Sequence, residues 1–585
     1  MCRSLTYWQD DCITRTESLD DWVTLHKLRS VSIPSTELSE RETLSNTLLG
    51  TLPSREDIEI VYKAREHVSI FFHSLGSLET MPETPSSNSH PTLIAKHMLL
   101  LATFLQHLHP AVHEEIRELS ETPRVIVQRL ASTAISLVTT NDELVGSIEG
   151  LECVHLEAEY WLNWGNLRRS LVALRRAVVI AQLMGLHRWA QPKVLDPKTR
   201  VDPRALWYQI LHCERILCLQ LGLPQASHDH SMASEAMLAS DTPIGRLQRM
   251  HSVLSSQILT RNESNSSYQD FAQTQKLDTE LSKAANLVPS KWWLPPHLPS
   301  VVHNSSALCS ETRRLVAQIS HYNLLNLLHL PHLLRSSAEH KCEYSRMVCV
   351  HASREMLTRF IAFRSFNRIA SSFRVIDFLA FVAGLTLPLA HLDSHRFSTT
   401  ENLLAHQCFS DRALLDKVQE TMLEVGALNA DPLSVQSADM IKRLAAIEVQ
   451  VAEGKMNPAA NLQSPLLGQN IETKDEHDNR IMPDTNGGCI VSELCARFGI
   501  IQMSDLSPSQ ALGGVKPFDA PDLQVAGNAV DEQPLFPLLD TLQYSSLTAG
   551  LEDWAFQGVD MAFVDSLMRG AGDDSAEWLN WQDQP

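Results

Sequence analysis

Histidine pairs are the first place to look for chemistry in this chain. His109 and His113 stand four residues apart, a spacing that can align two imidazoles on one helical face, and His228-Asp229-His230 sets two imidazoles around a carboxylate. Either group has the residue types of a divalent-metal site. Pro110, however, follows His109 and breaks the helix that would align the first pair, and no His-Glu-x-x-His run occurs. His321, His329 and His332 lie in an apolar stretch and read as core or groove histidines with satisfied ring nitrogens. No native metal site is expected. Nucleotide and covalent chemistry have less support still. The chain has no G-x-x-x-x-G-K-S/T loop, no G-x-G-x-x-G after a strand and no G-x-S-x-G elbow. Its eleven cysteines are scattered without a C-x-x-C pair and read as reduced intracellular thiols. The expectation is a protein that is not an enzyme.

Two charged features remain. Arg168, Arg169, Arg175 and Arg176 form a stripe that could meet a phosphate or an acidic partner. The plainer reading is an ion-paired helix face opposite Glu157 and Glu159, since exposed pairs contribute only about 0–1 kcal/mol and need no function. At the C-terminus, residues 551–585 carry eight acids against the single base Arg569, interleaved with Trp554, Phe556, Phe563, Trp578 and Trp581. Acidic groups keep such aromatics solvated and available, the composition of a disordered activation segment that folds on a coactivator. Phe556, Val559, Phe563 and Leu567 also share a helical face, so a terminal helix docked on the protein's own core is the alternative for 554–567.

The rest of the chain must position these groups. Of 585 residues, 44% are hydrophobic and 20% charged, enough apolar material for a sizeable core. Lys and Arg number 49 against 69 Asp and Glu, a formal net charge of −20, so no overall field draws the chain to nucleic acid. The opening MCRSLTYWQDDC offers no apolar run, and no secretory signal is expected. Phe378–Ala390 is greasy but shorter than the roughly 20 residues a bilayer span needs, and it contains Pro388; a buried core helix is expected, and no membrane.

Helical periodicity runs through the middle of the chain. Leu167, Leu171, Leu174, Val178 and Ala181 recur at three- and four-residue steps, with Gly185 as a left-handed stop and Leu186 set to pack back. Asp202-Pro203 opens a helix over 204–221 that Gly222 closes, and Ser54 with Asp57 reads as another helix start. Further helices are expected at 93–108, 123–140, 146–164, 275–287, 311–330 (ended by Pro331), 343–366, 373–392, 411–427 and 436–453. Alternating strand patterns are nearly absent. The fold class predicted is all-α, with a weakly structured arm over 1–43, a helical regulatory domain over 44–455, a largely disordered linker over 456–535 and an acidic-aromatic tail over 536–585.

Five phrases in order resemble the fungal zinc-binuclear-cluster transcription factors through their middle homology region. Residues 152–188 end in the family's Arg-Arg-Ala…Ala-Gln…Gly-Leu-His-Arg phrase, with Arg175, Arg176, Gly185, His187 and Arg188 at its positions. Residues 204–224 are similar to a second phrase through Trp207, Arg215 and Pro224, with Tyr208, Glu214 and Leu223 where the family has Trp, Asp and Arg. Stretches 48–57, 314–334 and 554–570 look like the family as well. The resemblance implies a nuclear transcriptional regulator, often of a fungal secondary-metabolite gene cluster, whose helical domain restrains activity and senses a metabolite or partner. It also implies a six-cysteine, two-zinc DNA reader. Only Cys2 and Cys12 precede residue 150, with no basic run beside them, and two thiolates cannot complete one four-ligand zinc site. The expectation is therefore no cofactor in the chain as given, with zinc only if an upstream exon encodes the cluster. DNA contact is expected to be indirect, and the partners are the transcription machinery or a coactivator, a complete zinc-cluster factor, or a second copy. The rival reading is a DNA-binding-deficient cofactor or decoy of a complete factor; a helical enzyme ranks below both.

Overall fold

Prolines and short polar caps decide where the helices begin. Pro91, Pro123, Pro203, Pro243 and Pro432 each occupy a first helical position, where the missing N–H costs nothing. Side chains then satisfy the orphan N–H groups: Ser54 accepts from Asp57 N, Asn166 from Arg169 N and Asp202 from Arg204 N. The computed structural model describes residues 35–64, 84–263, 267–301, 303–334, 340–395, 402 and 404–454. The expectations for the chain ahead of Ser35, for the linker at 456–535, and for the tail with Trp554, Phe556, Phe563, Trp578 and Trp581 lie outside these residues, as do Cys2 and Cys12.

Among the described residues there are fifteen α-helices and no strand, so the fold is all-α. In chain order they are α1 (Ser35–Gly50), α2 (Arg55–Lys63), α3 (Pro91–Gln106), α4 (Pro123–Ala134, running on as a π turn over Ile135–Thr139), α5 (Ile148–Asn163), α6 (Leu167–Leu183) and α7 (Pro203–Leu221). There follow α8 (Glu235–Ser240), α9 (Pro243–Glu263), α10 (Ser267–Ala285), α11 (Ser305–Leu334), α12 (His340–Phe366), α13 (Arg374–Ser394), α14 (Cys408–Asn429) and α15 (Pro432–Ala452). Sequence neighbours pack on one another: α5 on α6, α11 on α12, α12 on α13, and α14 on α15.

Two apolar cores share one wall. The smaller is built by α1 to α4 and one face of α5, through Cys153, Leu156, Tyr160 and Trp161. The larger takes the other face of α5, through Leu151, Val154 and Ala158, and extends across α6, α7 and α9 to α15. Burial on both sides takes in even Glu149, Glu152, His155 and Glu157 of α5.

Helix α13 is the spine of the larger core. By length and composition it could cross a membrane, yet 89% of its most apolar stretch is buried inside the protein. Its charges are paired internally: Asp377 takes both Arg364 Nε and Nη2, Arg374 reaches Asp431 at 2.7 Å, and His391 Nε2 lies 2.7 Å from Asp411. The expected core helix is what is found, several residues longer at its C-terminal end than the greasy run. At Pro331 the expectation fails, for α11 continues to Leu334. Arg261 donates to the Leu328 carbonyl at 2.6 Å, and Thr274 Oγ1 lies 2.9 Å from His332 Nε2, so neighbouring helices hold the turn that the proline disturbs.

Candidate functional site

The family-motif residues singled out by the sequence converge on the junction of α6, α7 and α9. Helix α6 ends on Gly185, whose φ of +76° only a residue without Cβ adopts cheaply, and a Cβ there would stand 2.8 Å from Ala190 Cβ. Leu186 is buried behind it, the His187 ring lies 6.5 Å from that of Trp207, and Arg188 is exposed. On α7, Trp207 is buried and donates Nε1 to Asp229 Oδ2 at 2.8 Å. Asp229 Oδ1 also accepts from Ser231 N, and Oδ2 from Ser231 Oγ. Burial would raise the Asp229 carboxyl; the hydrogen bonds from Trp207 and Ser231 and the charge of Arg215 outweigh it and hold it below its ordinary value.

Arg215 is the centre of this junction and fully buried. Its Nη2 donates to the carbonyls of Ser227 (3.1 Å) and Asp229 (2.6 Å), and its Nη1 to Ser252 O (3.3 Å) and Oγ (3.2 Å) on α9. Desolvation lowers the guanidinium to about 10, against the charges of Glu214 and Asp229, so it stays protonated at neutral pH. Glu214, where the family pattern has Asp, accepts from Ala226 N at 2.8 Å. Arg175 Nη2 donates to the Pro224 carbonyl at 2.6 Å, and Arg176 pairs with Glu157 at 3.4 Å and donates to the Thr139 carbonyl. Arg169 lies over the Trp161 ring at 4.5 Å. The arginine stripe is spent on the protein's own backbone, carboxylates and rings. As a set, these groups stitch the loop 224–231 to three helices; they present no reactive constellation.

The histidines considered as metal ligands are hydrogen-bonded within the protein. His113 Nδ1 accepts from His109 N, and His109 Nδ1 from Ala111 N, so both rings cap their own turn. His228 Nδ1 lies 3.0 Å from Gln225 Nε2, and His230 Nε2 lies 2.9 Å from Ser256 Oγ. One further group, His395, Cys408 and Glu448, brings its donor atoms within 4.8 Å of one another. Arg412 already chelates both Glu448 oxygens at 2.8 and 2.9 Å, and burial, with Glu448 beside it, pushes the Cys408 thiol up to about 11. That trio is an ion-paired network with a protonated thiol, a poor metal donor set.

Sequence reasoning missed a cavity of about 170 Å3 beside the junction, walled by residues of α5, α7, α9, α11 and α13. Its walls include Ile216, Leu217, Val316, Leu324 and Leu379, and its polar members include His212, His251 and Asn323. Its lining residues span 162 to 379 in the chain, and no local pattern announces it.

Comparison with known proteins supplies what the geometry leaves open. The chain is 43% identical to the dehydrocurvularin biosynthesis regulator of Alternaria cinerariae, over 92% of its own length and 82% of that protein. It is 44% identical to the regulator of the same name from Aspergillus terreus, over 91% and 82%. A probable transcription factor of Penicillium aethiopicum is 33% identical over 94% of this chain and 86% of its own. The chain belongs to a family of fungal transcription factors. No family model and no solved structure matches the chain. This fungal transcription factor is a transcriptional regulator, as the relatives' names state for them, and those names point away from catalysis.

Proposed function

We propose that this fungal transcription factor works in the nucleus on the genes of a secondary-metabolite biosynthetic pathway, through protein contacts rather than chemistry. The observation that supports this is extent: likeness to named biosynthesis regulators runs over more than nine-tenths of the chain. The helical body supplies a stable platform, and the acidic-aromatic segment 536–585 contacts transcription machinery or a coactivator. Eight acids against one base over 551–585 keep Trp578 and Trp581 available to an apolar groove on such a partner. DNA specificity is assigned in this reading to a partner or to a separate zinc module.

The test fuses residues 536–585 to an unrelated DNA-binding domain and measures reporter output. Activation that falls when Trp578 and Trp581 are changed to Ala is expected; no activation, or activation indifferent to those changes, defeats the reading of the tail. A second reading is a cofactor or decoy that pairs with a complete zinc-cluster factor. Co-purification from fungal cells separates the two: a zinc-cluster protein held stoichiometrically supports the cofactor, and none supports an independent factor.

A further inference from the structure

The cavity between α7, α9, α11 and α13 combines features that an unused packing defect lacks. Its volume of about 170 Å3 is on the scale of an engineered apolar cavity, roughly 150 Å3, that takes up benzene. Most of its lining is aliphatic. Two buried polar atoms on its walls have no hydrogen-bond partner among the described residues: Asn323 Oδ1 on α11 and His212 Nδ1 on α7. Three other polar wall groups are engaged within the protein. Ser255 Oγ donates to the His251 carbonyl, Ser320 Oγ to the Val316 carbonyl, and His251 Nε2 lies 3.1 Å from His321 Nδ1. Both orphans stand on the wall of one small apolar chamber, where a guest with a polar group can pair them.

The walls also set the guest's charge. Burial, with Arg215 nearby, brings His212 down to about 4, and burial, with His321 and His212 nearby, depresses His251 well below the usual histidine range. Both rings are neutral at physiological pH, and no Lys, Arg, Asp or Glu is among the lining residues. An ion would enter without a counter-charge and stay outside.

We propose that this cavity is a binding site for a small, neutral, single-ring molecule bearing a hydroxyl group, of the phenol class. The hydroxyl donates to Asn323 Oδ1 or accepts from the same side-chain amide, His212 Nδ1 takes a second polar contact, and the ring fills the aliphatic part. This site is distinct from the transcriptional reading and does not depend on the tail: binding is read on the purified protein itself.

The experiment titrates full-length protein with phenol, benzene and benzoate, following the thermal unfolding midpoint and ligand-observed NMR saturation transfer. Phenol is expected to raise the midpoint saturably in the millimolar range or below, benzene to bind at least tenfold more weakly, and benzoate to leave the midpoint unmoved. Asn323→Leu removes the amide at similar volume and is expected to abolish the preference for phenol over benzene. Val316→Phe fills the chamber and is expected to abolish both. If either variant is too unstable to purify, the other decides. Phenol without effect, equal binding of benzene and phenol to the parent protein, or phenol binding that survives both substitutions would each overturn the assignment.

Discussion

His251 Nε2 and His321 Nδ1 lie 3.1 Å apart with both rings buried, so one ring holds the proton that the other accepts and burial opposes the addition of another. The Trp293 ring stands 4.7 Å from His321, and His212 adds a like-charge penalty at His251. Burial brings His321 down to about 4, and His97 and His155 likewise to about 4. A group whose folded pKa lies below its unfolded value contributes nothing proton-linked above the unfolded value, near 6.5, and costs stability as pH falls from there toward the folded value. Unfolding should therefore become easier between pH 6.5 and 4, by about 1.4 kcal/mol per pH unit for each histidine kept neutral, partly offset by Glu159 beside His155, which burial raises to about 7 and which gains stability as pH falls through that window. The depressed carboxylates Asp411 and Asp431 lose their contribution only as pH falls below about 4, so the two windows separate. Urea unfolding at pH 7.5, 6.5, 5.5 and 4.5 checks this, and a flat profile above pH 4.5 contradicts it.

Arg215 should be the most costly single truncation in the junction. Arg215→Met keeps the bulk but leaves the Ser227, Asp229 and Ser252 carbonyls without their donor and Glu214 without its neighbouring charge. A loss of about 3–5 kcal/mol is expected. Arg215→Lys should recover only part of it, because one ammonium cannot reach both the 227–229 loop and α9. Trp207→Phe, which removes one hydrogen bond to the Asp229 carboxylate, should cost about 1.5–3 kcal/mol. The two changes act on the same loop, so the double variant should fall short of their sum. Denaturant midpoints of the four proteins against the parent measure all of this.

How far the fold could be read beforehand depended on whether buried faces were apolar. Helices α6 and α7 were legible with their ends, because Leu167 to Ala181 keep one stripe and Gly185 and Gly222 both adopt positive φ. Helix α9 was not read at all. Its buried face mixes Leu247, Leu254 and Ile258 with His251, Ser252, Ser255, Ser256 and Arg261, and that polar share hides the apolar period. The same residues give α9 its uses, since Ser252 receives Arg215 and His251 lines the cavity. The histidines of 321–332 were legible as core groups, whereas a chamber assembled from five distant helices leaves no trace in any window of sequence.

Glycine at 150 supplies a case where local propensity and tertiary contact oppose each other. In a helix interior, Gly→Ala ordinarily stabilises by about 1 kcal/mol. Gly150 lies in the first turn of α5, its N–H donating to the Ser147 cap, and a Cβ there would stand 2.5 Å from Val145 Cα and 2.6 Å from Val145 O. These are main-chain atoms, so relief requires moving the 145–147 turn and with it the cap. At Gly384 on α13 the obstacle at 2.7 Å is Ile441 Cδ1, the tip of a side chain that can rotate. Gly150→Ala should therefore lose at least about 2 kcal/mol, in the range of other overpacked sites, and Gly384→Ala distinctly less, helped by the propensity gain. Parallel thermal melts decide it: the reverse order of the two variants would show that the turn before α5 yields more readily than the contact between α13 and α15.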